Sequence, residues 1–273
     1  IESRLIATTL PRYNRAGTRV DKYCFVRLDV DSPWPRLSVV KNPGSKGVHL
    51  GPLPSRTMAN LVVEAIQSAL PLRRCTARLG RNFVAPADAT MCSAAQLGVA
   101  HCPCTGTTDV GEYAGVVEVA ADALEGRPEV VVERVRDKML QLASQQRFEE
   151  AASVRDRLTA LIGATRRHLL VDALRSAGRA HITLGDATWT IESGRLVDAI
   201  SVGSVGRALP VAAPEPTADP VLGRHQIDEA LCLARFFDKH AARLTVSADG
   251  SWMFPIGDRV PDLAALARVR QVA

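Results

Sequence analysis

Residues 129–176 hold two runs of apolar side chains at helical spacing, split near 145–147 and bounded by Gly126–Pro128 before and Gly178 after. Val131, Val135, Leu142 and Ala143 recur on one side of the first run. In the second, QQRFEEAASVRDRLTAL, Phe148, Ala151, Ala152, Arg155 and Leu158 are expected to share a face. Small alanines beside a large Phe let a second helix approach closely while the ring fills the gap. Two such helices form a hairpin with too little core to stand alone. It needs a second hairpin, from its own neighbours or from another chain.

The rest of the sequence reads as mixed elements, so the expected class is α+β. Cys24–Asp29 and Arg36–Val40 read as strands on either side of the turn-rich DSPWP. NPGSKG is another turn. Ser55–Ala69 is an amphipathic helix with Met58, Leu61, Val62, Ala65 and Ile66 on one face and Ser55 as N-cap. Residues 75–108 read as a loop-rich segment, and a helix is expected near 109–124. Past Gly178 the period drops to two. Residues 180–184, 188–192 and 196–202 form a short meander, and 203–222, rich in Gly and Pro, reads as a linker or long loop. A helix over about 225–241 and strands at 243–247 and 252–256 follow. Trp189, Trp252, Met253 and Phe254 read as core.

Composition narrows the function. There is no apolar stretch long enough to span a bilayer and no basic-then-apolar leader pattern, so the expected setting is cytoplasmic, away from membranes. Residues 1–81 carry fourteen Lys and Arg against five Asp and Glu, although the whole chain is only +5. A basic front half suggests a polyanion such as DNA, bound by phosphate contacts. Arg12, Arg15, Lys22, Arg73 and Arg74 are its candidate DNA-binding residues. Of six cysteines, Cys92, Cys102 and Cys104 crowd together, a pattern that points to a metal or to buried thiols rather than to disulfides.

The FEEAASVRDRLTAL stretch resembles the UVR motif, the helical hairpin of bacterial excision-repair proteins, through Met139, Phe148, Glu149, Ala151, Ala152, Arg155, Asp156 and Leu161. The resemblance implies docking onto an equivalent hairpin of the UvrB helicase, with Phe148, Glu149, Ala152, Arg155 and Asp156 as partner-binding residues. The opening IESRLIATTLPRYN is similar to the end of a GIY-YIG nuclease domain of the UvrC type, with Glu2, Leu5, Ile6, Pro11, Arg12, Tyr13 and Asn14 in matching places. DKYCFVRL, PRLSVVK, GPLPS and PLRRC follow in the family's order. Glu2 and Asn14 are then implied catalytic residues, with Glu2 holding a divalent Mg²⁺. One carboxylate plus waters suits that hard cation, which would stabilise charge on the phosphate and the leaving oxygen.

The resemblance implies an excision-repair endonuclease that cuts 3′ of a lesion, like the single-nuclease UvrC homologue Cho. Some relatives also carry a DEDD exonuclease ahead of the GIY-YIG domain. The family's tyrosine and arginine fall upstream of Ile1, so this polypeptide alone is expected not to cut DNA. The resulting division is 1–14 as the end of the GIY-YIG domain, 15–74 as an α+β extension and 75–108 as the cysteine segment. A helical region over 109–178 holds the UVR motif at about 135–170, and 179–273 forms a small α+β module without assigned chemistry.

In the cysteine segment, Cys75, Cys92 and Cys104 match positions that in UvrC proteins bind an iron–sulfur cluster. The third family cysteine falls at Ala100, and Cys102 stands two places later, beside His101. Cys75, Cys92, Cys102 and Cys104 are therefore candidate ligands for 4Fe–4S or Zn²⁺. A second reading is a non-catalytic UVR adaptor of the McsA type. Those adaptors use paired CxxC motifs, and this chain has none.

Overall fold

The computed structural model describes residues 23–80, 82–201 and 224–261. Glu2, Arg12, Asn14, Arg15 and Lys22, with the expected 203–222 linker, lie outside these. The chain divides into two compact units, Cys24–Thr165 and Arg166–Val260, with Tyr23 joining the second.

The first unit opens with β1 (Cys24–Leu28), β2 (Leu37–Val40) and β3 (Val48–Leu53), an antiparallel sheet ordered β2-β1-β3. The central β1 is almost wholly buried, with Val26 and Leu28 at its heart. The expected pair of strands gains a third. Gly51 and Pro52 hide β3 in the sequence, because both disfavour strands. They are tolerated because β3 is an edge strand, where Pro lacks no ladder partner. Gly47 turns the chain into β3 at φ 77°, with its α-carbon against the backbone of Leu28 and Asp29. A side chain there has no room.

α1 (Arg56–Ala69) packs its Ala59, Val62, Ala65 and Ile66 face onto this sheet, and the Ser55 hydroxyl accepts from Met58 N at 3.2 Å. A one-turn helix, α2 (Ser93–Gln96), interrupts the cysteine segment, where the sequence suggested loop only. α3 (Val110–Leu124) follows, N-capped by Asp109 on Glu112 N at 2.7 Å, and packs against β1, β3 and α4 (Glu129–Ser144). α5 (Phe148–Ser176) completes the expected helical pair. α4 buries Val131, Val132, Val135 and Leu142; the 148–165 part of α5 buries Ala151, Val154, Leu158 and Leu161.

The second unit takes the end of α5 into an antiparallel sheet ordered β6-β5-β4-β7, built from β4 (Arg179–Leu184), β5 (Ala187–Glu192), β6 (Arg195–Ser201) and β7 (Thr245–Ala248). Ala180, Ile182 and Ile191 are buried, while His181 bonds Thr190 and Thr183 bonds Thr188 across the strands. α6 (Arg224–His240) packs next to β6 and brings Phe236 and Phe237 onto Trp189. Trp252 and Phe254 extend the same aromatic group. The expected strand at 252–256 is absent. Pro255 has no N–H to offer a ladder, and Ile256 N instead donates to the Asp238 carboxylate at 2.8 Å.

Candidate functional site

The cysteine centre is assembled by α1, α3 and the loops between them. Just after α1, Pro71 and Leu72 turn the chain inward, so that Arg73 is 5 % exposed. Its Nε donates to Trp34 O at 2.7 Å, and one terminal nitrogen donates to Ala77 O at 3.0 Å and Cys75 O at 3.3 Å. The same nitrogen stands 3.5 Å from Cys75 Sγ. Tyr113 of α3, 1 % exposed, donates its hydroxyl to Pro35 O at 2.5 Å and accepts from Arg73 N at 3.2 Å. Burial pushes this phenol upward, so it remains a donor at neutral pH. The Trp34 ring lies against Tyr113 at 5.4 Å and His101 meets it edge-on at 5.6 Å.

Arg73, a candidate for phosphate contact, is 5 % exposed and directs Nε and one terminal nitrogen to three carbonyls and a thiol. It organises the Trp34 and Cys75 loops. Arg74 stays at the surface but also spends a terminal nitrogen on Gln67 O and Val99 O, at 3.1 and 3.3 Å.

Cys92 stands at the N-cap of α2, while Cys102 N-caps a 3-10 turn over Pro103–Thr105 that contains Cys104 and that Gly106 ends at φ 74°. Cys102 Sγ and Cys104 Sγ lie 2.8 Å apart, a shared-proton contact. Burial opposes ionisation of Cys102, but hydrogen bonds from Cys104 and Cys92 outweigh it and lower its thiol. The bond to Cys102, then burial, pushes Cys104 up to about 12. Cys75 acts electrostatically on Cys104, whose Sγ contacts Cys102. Cys24 lies inside β1, and Cys232 is exposed on α6.

As donors, four thiols suit a thiolate-binding metal or cluster. Their spacing is another matter. A tetrahedral zinc with bonds of about 2.3 Å sets its sulfurs ~3.8 Å apart, wider than the Cys102–Cys104 contact. Among the described residues no group of three or more His, Cys, Asp or Glu is arranged to hold a metal ion. His101 Nε2 is buried without a hydrogen bond and lies 3.9 Å from Glu112 Oε1.

The second feature is the α4–α5 hairpin. Arg147 N bonds Leu142 O and Gln146 N bonds Ala143 O, both at 3.0 Å, with Gln146 at φ 59°. This is a Schellman turn with a Gln where Gly is favoured. Gln146→Gly should therefore raise stability by about 0.5–1 kcal/mol; a urea unfolding midpoint at or below the parent's refutes it. Arg147 then clamps Glu150 through two 2.6 Å bonds and holds that carboxyl below its usual range.

Expected as one face, Phe148, Ala151, Ala152, Arg155 and Leu158 in fact split between two. Ala151 and Leu158 point inward with Val154 and Leu161. Phe148 is 64 % exposed, next to half-buried Ala152 and exposed Glu149, Arg155 and Asp156. Arg155 and Asp156 pair at 3.0 Å. The hairpin fills its own interior and leaves the aromatic ring outside.

Sequence reading missed Tyr113 and Trp34. The only available hint was that Tyr113 stands on the same α3 face as the core residues Ala120 and Leu124.

A sheet-and-helix module with a cysteine centre, followed by a helical hairpin, is a recognisable pairing. Residues 23–123 match the family model of the UvrC/Cho excinuclease middle domain, and residues 129–161 match the UvrB/uvrC motif. These matches support a likeness to the UvrC/Cho excinuclease middle domain over 23–123 and to the UVR motif over 129–161.

Among individual relatives it is similar to the UvrABC system protein C of Syntrophus aciditrophicus, 31% identical over 172 residues that cover 63% of this chain and 27% of that protein. The Halobacterium salinarum protein of the same name is 27% identical over 226 residues, 83% of this chain and 35% of the relative. That of Rickettsia typhi is 28% identical over 193 residues, 70% and 30%. The chain thus spans roughly a third or less of the relatives it matches. No solved structure matches it. Among the described residues, no helix is long and apolar enough to cross a membrane.

Proposed function

We propose that the chain belongs to a nucleotide-excision-repair incision protein and docks a UvrB-type partner through the α4–α5 hairpin. The observation that carries this reading is Phe148. A ring 64 % exposed at the head of α5, inside the UVR match, is surplus to the hairpin's own packing. Exposed aromatic anchors flanked by small and charged residues are what helical docking surfaces use. Glu149, Arg155 and Asp156 surround the ring with both signs of charge, which sets register more than affinity.

DNA is the proposed substrate, held by phosphate contacts of the basic front half. Mg²⁺-dependent incision on the 3′ side, with Glu2 as metal ligand and Asn14 as a further catalytic residue, belongs to the same proposal. The four-cysteine centre is proposed to take a thiolate-bound Fe–S cluster or Zn²⁺, for which its donor chemistry is suited.

The test is partner affinity. Phe148→Ala removes a side chain that the hairpin core does not use, so folding should be unchanged. Affinity for a UvrB-type protein should drop at least tenfold, as expected for a hot-spot aromatic. Equal co-purification of parent and variant would remove the hairpin as the docking element.

A further inference from the structure

The segment between α1 and α3 carries an aliphatic tip beside two arginines. α2 ends in a Schellman turn: Gly98 N donates to Ala95 O at 2.9 Å and Val99 N to Ala94 O at 3.0 Å, with Gly98 at φ 68°. Leu97, just before that glycine, is 77 % exposed, and Val99 is exposed just after it. The turn is tied to the end of α1. His101 N donates to Pro71 O at 2.8 Å, and one terminal nitrogen of Arg74 bridges Gln67 O and Val99 O at 3.1 and 3.3 Å. Leu97 is thus held out in solvent by backbone bonds on both sides.

Arg134 of α4 reaches the same helix end, where one terminal nitrogen donates to Ala69 O at 3.3 Å. Both guanidinium groups are therefore anchored on last-turn carbonyls of α1, the negative end of its dipole, and both residues are exposed. Each commits one terminal nitrogen and leaves Nε and the other terminal nitrogen without a partner among the described residues. No carboxylate of the described residues pairs with either of them. Two cationic forks and an aliphatic side chain are presented together on the first unit.

We propose that this tip is a DNA-contacting wedge: Leu97 enters a base step of a duplex while Arg74 and Arg134 hold backbone phosphates beside it. Charge and shape select the occupant. Guanidinium donors match the paired unesterified oxygens of a phosphodiester, and aliphatic side chains accompanied by cations are what proteins insert between bases. A protein partner would need to cover about 800 Å² of each surface, whereas this tip is narrow. α2 is a single turn, and Gly98 puts no side chain beside Leu97, with open space where its Cβ would be. Unstacking costs least where pairing is already disturbed, so the wedge favours a distorted duplex. The proposal rests on the repair reading above and deepens it, by naming where the first unit meets the DNA.

The experiment uses the full chain and two fluorescein-labelled duplexes, one fully paired and one with a single mismatch, with anisotropy read over a range of salt. A matching pair carries 2-aminopurine beside that position, whose fluorescence rises when the base unstacks. The parent should bind the mismatched duplex about three- to tenfold more tightly, because part of the unstacking cost is absent there, and should raise the 2-aminopurine signal. Leu97→Ser should erase that preference and abolish the rise; the side chain is exposed, so the variant should fold. Arg74→Gln and Arg134→Gln should each reduce the slope of log affinity against log salt by ~0.9, the value of one phosphate contact on duplex. If the parent binds DNA but Leu97→Ser keeps the parental preference and fluorescence rise, the wedge is overturned while the repair reading stands. If Leu97→Ser loses co-purification with a UvrB-type protein and leaves the DNA readouts unchanged, the tip is a protein contact and the proposal fails. If both arginine variants keep the parental slope, the phosphate contacts are refuted. If the parent binds no duplex, the wedge and the DNA part of the repair reading fail together, whereas partner docking through Phe148 is untouched.

Discussion

Gly178→Ala is expected to destabilise the protein by about 2–4 kcal/mol, among the larger costs a single methyl group can impose. Gly178 ends α5 at φ 64°, and a Cβ there would press into the Asp249 carboxylate. That carboxylate cannot simply move, because its Oδ1 accepts Arg179 N at 2.6 Å. The last carbonyls of α5 are satisfied by the same turn: Gly250 N donates to Ala177 O at 3.2 Å and Ser251 N to Ser176 O at 2.7 Å. The clash therefore disturbs a helix end and the start of β4 at once. Gly185 is the internal comparison. It has φ 57° but open space around it, so Gly185→Ala should cost only the backbone term, about 1 kcal/mol. Urea unfolding of both variants separates the two contributions. Equal midpoints would mean that the Asp249 contact does not constrain Gly178.

The second large effect falls on Arg73. Arg73→Met keeps most of the stem and removes the guanidinium. Three carbonyls then lose their donor, two of them on the loops that carry Trp34 and Cys75. Unsatisfied buried groups cost about 1–3 kcal/mol each, so a loss of roughly 3–5 kcal/mol is expected, after partial relaxation. Lys at this position cannot reach several acceptors from one planar fork and should rescue little. The readouts are the urea midpoint and the rate at which thiols of the cysteine centre react with an alkylating agent, which should rise as the loop loosens. A variant with parental stability would show that Arg73 is not the organising residue, and would return it to the candidates for phosphate contact.

These two positions also mark the limit of what the sequence disclosed. α1, α3 and the α4–α5 pair were legible because their apolar residues repeat at 3.6 and their ends carry Ser55, Asp109 and Gly178. The β4–β5–β6 meander was legible from its alternation and its Gly-containing turns. β3 was not, because Gly51 and Pro52 lower strand propensity and only its edge position excuses them. Residues 252–256 look like a strand by composition, yet their backbone bonds to an aspartate side chain instead of a neighbouring strand.

The candidate sites divide the same way. The cysteines announced themselves by count and spacing. The Phe148 motif was legible as a string, but not which of its residues turn outward. Arg73 and Arg74 are adjacent and chemically identical in the sequence. One is enclosed and the other exposed, because Pro71 and Leu72 turn Arg73 under the Trp34 loop.

The linear order of residues by itself settled most local elements and the family signature, since these depend on neighbours a few positions apart or on composition. The three-dimensional packing alone decided which charges are spent and which remain available. Arg73 is enclosed among the carbonyls of Trp34, Cys75 and Ala77, whereas its neighbour Arg74 stays at the surface. The physical reason is that a charged group's role is set by what surrounds it once water is excluded, and those surroundings come from segments distant along the chain.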